Sequence, residues 1–167
     1  MKKFLALFVF AFIANACATP QDDTVTTFYL IRHAEKDRSE GVGKDPALTE
    51  TGQNRAARWA QVLGLESLDA VYSTDYKRTR QTAEPAAQAN GLEIQLYDPN
   101  AIDPAEWIAK HKGQRVLIVG HSNTTPMVAN AFLGEERYPW IDDAVNGNLY
   151  IVTVVGPTVG VQVLSIE

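Results

Sequence analysis

Two histidines and two arginines follow strand-like apolar runs at widely separated points of the chain, and together they suit one anion. Phe28-Tyr29-Leu30-Ile31 leads directly into Arg32-His33-Ala34-Glu35. Much later, Val116-Leu117-Ile118-Val119-Gly120 delivers His121. Between them, Ala70-Val71-Tyr72 runs into Ser73 and then Arg78. In open α/β sheets ligands bind at the carboxyl ends of the strands, so these residues are expected to meet at one edge. Two guanidiniums can each grip a phosphate dianion in bidentate fashion. Phosphoryl transfer asks chiefly for positioning and for neutralisation of the equatorial oxygens. His33 can attack phosphorus if one ring nitrogen is bare and in line. The other nitrogen must then be held as a donor, and a backbone carbonyl is the expected partner. Covalent capture would give a phosphohistidine that water hydrolyses. A charged His121 would add a further cation at the transferring group. A leaving alkoxide needs a proton, so an acid should stand nearby.

The elements that must position these groups are readable from periodicity. Val25 to Ile31 reads as a first strand, its apolar second half implying burial on both faces. Lys36 to Pro46 is polar, carries two glycines and reads as a loop. Leu48 to Leu63 is helical, with Ala56, Trp59, Ala60 and Leu63 on one face, Thr49 or Thr51 as its cap and Gly64 as its end. Leu68 to Ser73 is a strand, Lys77 to Asn90 a helix closed by Gly91, and Glu93 to Tyr97 a strand. Pro104 to Lys112 is a short helix, Arg115 to Gly120 a strand, and Thr125 to Leu133 a helix followed by Gly134. Asn148 to Val155 and Val159 to Ile166 close the chain as two strands turned by Gly156-Pro157. This alternation implies an α/β fold, a three-layer α-β-α sandwich on a mainly parallel central sheet.

Size and composition fit that reading. The chain has 167 residues, 46% of them hydrophobic and 21% charged, which suits one globular domain. Its formal net charge of −5 gives no support for a nucleic-acid surface. Lys2 and Lys3, an apolar run from Phe4 to Ile13, and the small residues Ala14 to Ala18 read as an export signal over residues 1–18. Ten apolar residues are too few for a comfortable bilayer span. Cys17 is the only cysteine, so no intramolecular disulfide can form. Its position resembles a bacterial lipoprotein processing site, with cleavage after Ala16 or Ala18 as the competing outcome. Residues 19–24 read as a polar linker and 25–167 as the domain, expected in the periplasm or anchored to a membrane through lipid on Cys17.

The chemistry-bearing segments also form a set. Arg32-His33-Ala34 resembles an R-H-G tripeptide after a first strand. Leu48-Thr49, Gly52 and Ala56 resemble an L-T-x-x-G-x-x-x-A helix opening. Ser73, Arg78, Gln81, Thr82 and Ala83 resemble an arginine segment ending in Q-T-A, and Gly120-His121-Ser122 a G-H-S turn. In this order they are similar to the histidine phosphatase superfamily, which includes the cofactor-dependent phosphoglycerate mutases. The resemblance implies an exported phosphatase acting on phosphomonoesters, with His33 as nucleophile and Arg32, Arg78 and His121 around the phosphoryl group. It places the acid shortly after the third strand, where Asp98 is the first choice and Glu35, Asp103 and Glu106 are rivals. Ser122 stands where the phytase-like branch has an aspartate, so the other branch is implied. Glu35 and Asn123 are expected to touch substrate. A non-catalytic phospho-ligand binder is the alternative, and a mutase ranks below it because the loops are short.

The remaining residues receive plainer readings. His111, between Lys110 and Lys112, reads as a solvated helix residue. Arg55 and Arg58 read as surface charges, Arg80 as surface or rim, and Lys77 as rim at best. Trp59, Trp107 and Trp140 read as core. Tyr72, Tyr76 and Tyr97 are open candidates for shaping the pocket. Ala34, where the motif has glycine, implies a turn that tolerates a Cβ. No histidine–carboxylate spacing resembles a zinc site and no glycine-rich phosphate loop is present, so neither metal nor cofactor is expected. The expected partner is a small phosphorylated substrate.

Overall fold

Val116 to Val119 of the Arg115–Gly120 strand are essentially inaccessible, which is why that run is uniformly apolar rather than alternating. The computed structural model describes residues 22–64 and 67–166. The segment expected to be an export signal, Cys17 and the first part of the expected linker lie outside the described residues. In chain order the elements are β1 (Val25–Arg32), α1 (Glu50–Leu63), β2 (Ala70–Ser73), α2 (Lys77–Ala89) and β3 (Ile94–Leu96). A 3-10 turn (Pro99–Ala101), α3 (Pro104–Lys110), β4 (Arg115–Gly120), α4 (Thr124–Leu133), β5 (Asn148–Val155) and β6 (Thr158–Ser165) follow. The 3-10 turn has no counterpart in the sequence reading.

The sheet has six strands in the order β3-β2-β4-β1-β5-β6. Its first four members run parallel, β5 is antiparallel to β1, and β6 is antiparallel to β5. One sheet face carries Phe28, Leu30, Tyr72, Val116 and Ile118 and packs on Val128, Ala129 and Phe132 of α4 and on Trp107 and Ile108 of α3. The other carries Tyr29, Ile31, Val71, Leu117 and Val119 and packs on Trp59 and Leu63 of α1 and Ala83, Ala86 and Ala87 of α2. The fold is thus the α-β-α sandwich implied by the alternation.

Strand order makes the site. The chain leaves β1 through α1 on one face and leaves β4 through α4 on the other. Beyond the ends of these adjacent parallel strands there is therefore a crevice, as at other topological switch points. Register places Arg32 beside Gly120, and the His33 amide donates to the Gly120 carbonyl at 2.9 Å. Ser73 pairs with Val119 on the other side of β4. Residues 33, 74 and 121 consequently emerge at one level of the sheet.

Local chemistry fixes the β1–α1 connection. Thr49 caps α1, accepting from the Gly52 amide at 3.1 Å, as one of the two capping threonines expected. The Thr49 amide donates to the Glu35 carbonyl at 2.9 Å. A Cβ on Gly52 would stand 2.2 Å from that same carbonyl oxygen, so glycine is what lets α1 start against the residues after His33. Ala34 is fully buried, and no non-glycine residue among those described has a positive φ, so the turn accepts a Cβ at this position.

Candidate active site

His33 sits at the end of β1, 4% exposed. Its Nδ1 lies 2.8 Å from its neighbour's carbonyl, Ala34 O. A carbonyl only accepts, so Nδ1 carries the proton and Nε2 holds the lone pair. Ala34 is itself braced, because its amide donates to Thr82 Oγ1 at 2.9 Å while that hydroxyl donates to the Arg78 carbonyl at 2.7 Å. Gln81 Oε1 accepts from the Leu48 amide at 2.8 Å. The Gln-Thr pair of α2 therefore ties the turn after His33 to the helix that carries Arg78. Asn146 closes the other side, donating to the His33 carbonyl at 2.9 Å. Burial above all, with the Arg32, Arg78 and His121 charges adding to it, holds the His33 pKa down to about 3 against a backbone bond that favours the cation. At neutral pH His33 is an uncharged base.

Arg32 is 1% exposed and faces two ways. Its Nη1 donates to the carbonyls of Asp142, Asp143 and Val145 at 2.9, 3.1 and 2.8 Å. Its Nη2 pairs with the Asp143 carboxylate, which Arg38 also grips at 2.7 Å. The loop between α4 and β5 is thus folded around this guanidinium. Arg78 projects from the first turn of α2, its Cζ 4.4 Å from the centre of the Tyr76 ring. Its Nη2 points at His121 Nδ1 at 3.4 Å, and its Nη1 stands 3.5 Å from Asp45.

His121 follows β4 with its ring centre 5.5 Å from that of His33, and Tyr76 packs edge-on against it at 4.9 Å. Its Nε2 lies 2.9 Å from Thr74 Oγ1. Burial first, then Arg78, Lys36 and Arg32, lower its pKa to about 4. In the free protein His121 is uncharged at neutral pH, because three cations already surround the ring and a fourth is disfavoured there.

These groups line an open cleft of about 570 Å³. Among the described residues, the buried side-chain polar atoms without a hydrogen-bond partner are Arg32 Nε, Arg78 Nε, Arg78 Nη1, Tyr97 OH and Trp59 Nε1. All but the last belong to residues of this cleft. Buried donors are ordinarily satisfied, because leaving one unmade costs about 1–3 kcal/mol. Guanidinium donors from two elements and a phenol, gathered beside a bare imidazole nitrogen, match a tetrahedral oxyanion in both charge and donor count. Burial raises the Tyr97 phenol further above its ordinary value, so it stays a neutral donor.

Comparison with known proteins agrees with this geometry. A family model, the histidine phosphatase superfamily (branch 1), matches residues 28–99. Phosphoserine phosphatase 1 of Hydrogenobacter thermophilus is 31% identical over 124 residues, which cover 68% of this chain and 50% of that protein. Over residues 28–99 the chain is thus similar to the histidine phosphatase superfamily (branch 1). Its matches span half or less of the length of the curated relatives. Bacillus stearothermophilus YhfR shares the fold with a TM-score of 0.65 at 23% identity, over 85% of this chain and 98% of that one. The protein histidine phosphatase SixA, complexed with tungstate, has a TM-score of 0.67 at 16% identity, over 83% of this chain and 96% of that one.

Arg32, His33, Arg78, His121, Asp98 and Asn123 all border the cleft. Several expectations are corrected. Glu35 lies outside the cleft, because its carboxylate is taken by Arg55, which donates through Nε at 2.8 Å and is therefore no free surface charge. Burial pushes the Glu35 carboxyl up, but Arg55 outweighs it and keeps the pKa low. Asp103 caps α3 through the Ala105 amide, and neither it nor Glu106 reaches the cleft. Lys77 lines a separate depression with Arg80 and Glu84. His111 is 3% exposed, held by Gln114 Oε1 at 2.7 Å and the Tyr72 hydroxyl at 3.2 Å, and Tyr72 accordingly belongs to the core. Trp140 is 77% exposed rather than core. Lys36, Thr74 and Asp143 border the cleft without having been singled out as site residues. Lys36 carried a signal, standing three residues after His33. Thr74 and Asp143 carried none, since only long-range packing brings them in.

The buried imidazoles set an acid limit on stability. The unfolded chain protonates its histidines near 6.5, whereas folded His33 and His121 resist protonation down to about 3 and about 4. Between these limits the unfolded state binds more protons, so stability rises with pH and is lost as pH falls below about 6.5. Thermal melts from pH 7 to 4 should show this decline, and His33→Asn should flatten it by about one proton. An equal slope in the two proteins contradicts the neutral, buried His33.

Proposed function

We propose that this chain is a phosphatase that hydrolyses phosphomonoesters through a covalent phosphohistidine on His33. The observation that carries the reading is the bond from His33 Nδ1 to the Ala34 carbonyl, which leaves Nε2 bare in a cleft of unpartnered arginine donors. Arg32, Arg78 and Lys36 offset the charge of the phosphoryl oxygens. His33 Nε2 attacks phosphorus, the P–O bond to the alcohol breaks, and Asp98 gives the departing oxygen its proton. Water, giving a proton to the Asp98 carboxylate, then attacks the phosphohistidine, the P–N electron pair returns to Nε2, and phosphate leaves. Among the sequence's candidates for the acid, Asp98 is supported because it alone borders the cleft. The other cleft aspartates, Asp75 and Asp143, are ion-paired with arginines.

Turnover of an alkyl and an aryl phosphate by the purified chain and its variants tests this. His33→Asn should lower kcat by at least about a thousandfold on both. Asp98→Asn should cost about a hundredfold on the alkyl ester and far less on p-nitrophenyl phosphate, whose leaving group needs little protonation. Lys36→Met should raise KM more than it lowers kcat. Full activity in His33→Asn contradicts the proposal, and wild-type binding of phosphoesters without turnover favours a phospho-ligand binder.

The proposal includes the export signal of residues 1–18 and lipid attachment at Cys17, supported by the order of lysines, apolar run and small residues. Fractionation of bacteria producing the full chain should find it membrane-bound and find Cys17→Ser released. Wild-type protein in the cytosolic fraction contradicts it.

A further inference from the structure

Hydrogen-bond bookkeeping around His121 fixes which of its nitrogens carries the proton. Thr79, fully buried, lies with its Oγ1 2.8 Å from the Thr74 carbonyl and 2.9 Å from the Tyr76 carbonyl. Both partners only accept, so the single Thr79 hydroxyl hydrogen is committed to them. Thr74 Oγ1 stands 3.1 Å from Thr79 Oγ1, and the hydrogen between the two oxygens must therefore come from Thr74. With that hydrogen spent, Thr74 Oγ1 can only accept at its remaining contact, His121 Nε2 at 2.9 Å. The imidazole hence carries its hydrogen on Nε2. The other side of the ring agrees, because Nδ1 faces a donor, Arg78 Nη2. A hydrogen on Nδ1 would set donor against donor.

A bare Nδ1 is the wrong group to meet a phosphate oxygen, since lone pair would face lone pair. We infer that the Thr79–Thr74 hydroxyl relay locks His121 in its Nε2–H form, so that the cleft takes up one proton, on His121 Nδ1, together with a bound oxyanion. Thr74 is then a positioning residue: its hydroxyl is taken up by Thr79 and His121, and it acts through the ring it orients. The inference borrows from the proposed function only the ligand class, a tetrahedral oxyanion.

The surroundings make the uptake conditional on the anion. The cations facing the ring are Arg32 and Lys36 from the end of β1 and Arg78 from α2. His33, Tyr76 and Tyr97 also line the cleft around it, and Asp75, Asp98 and Asp143 stand along the rim. Without a ligand, this field and burial keep His121 neutral at physiological pH. A dianion between the guanidiniums offsets most of that positive field and favours the imidazolium. The new Nδ1–H then donates to the anion while Nε2–H keeps its place on Thr74.

Tungstate tests the coupling, because it is a dianion that takes no proton near neutral pH. Calorimetric titration at pH 7.5 in buffers of different ionisation enthalpy should show uptake approaching one proton per tungstate, about the full linkage of a single titrating site. His121→Gln should bind with no uptake. Thr74→Val frees the ring to present Nδ1–H without a proton from solvent, so its uptake should fall well below wild type, and Thr74→Ser should restore it. Binding by the wild type without uptake, or uptake unchanged in Thr74→Val or in His121→Gln, overturns the inference while leaving the phosphatase reading standing. No tungstate binding at all overturns both. Imidazole nitrogen NMR of the wild type is independent of the variants' folding. It should show neutral Nε2–H for His121 in the free protein and a doubly protonated ring with tungstate, and a free ring protonated on Nδ1 overturns the inference.

Discussion

One short hydrogen bond, from His33 Nδ1 to the carbonyl of the next residue, sets what this cleft can do. It spends one nitrogen of a buried imidazole and leaves the other bare among arginines. Much of the neighbouring structure serves to keep that carbonyl where it is. The β1–β4 register puts the His33 amide on Gly120, Thr82 holds the Ala34 amide, and Asn146 takes the His33 carbonyl. Gly52 lets α1 begin within contact of the same turn, where any side chain would collide with Glu35. Three elements remote in sequence thus fix one ring orientation, which is the precision that an in-line displacement demands.

The electrostatics follow from the same packing. The chain is acidic overall, yet its cleft gathers Arg32, Lys36 and Arg78. Such a cluster would repel itself if left bare, and the fold relieves it in two ways. Carboxylates and carbonyls of the loop before β5 wrap Arg32, and Asp45 stands beside Arg78. The two imidazoles, His33 and His121, stay uncharged. Fixed guanidiniums therefore supply the positive field, and the titratable rings remain available for bond making and proton movement.

The layers, the strand ends and the four residues at the heart of the cleft were legible in the sequence because each rests on a local pattern. An apolar run followed by Arg-His or Gly-His declares both a buried strand and what emerges from it. The requirement that His33 donate through one nitrogen to a carbonyl followed from the chemistry before any coordinates. Side-chain partners were less legible, since pairing is a tertiary fact. Nothing near Glu35 reveals that Arg55, twenty residues on, turns it away from the cleft. His111 is flanked by lysines and looks solvated, yet the C-terminal end of α3 presses it between Phe28, Tyr72 and Trp107. Trp140 looks like core by composition but lies in a loop whose neighbour Ile141 takes the buried position. Thr74 and Asp143 gain meaning only from what the sheet order places beside them.

The chemistry proposed for the cleft turns on which atom of the protein receives the phosphoryl group. The chain should be mixed rapidly with a good phosphomonoester substrate, quenched in base and examined by phosphorus NMR and peptide mass spectrometry. A single acid-labile, base-stable adduct on His33, with phosphorus on Nε2, is expected. Phosphorus on Nδ1 or on any other residue, or steady turnover with no histidine adduct, would contradict it.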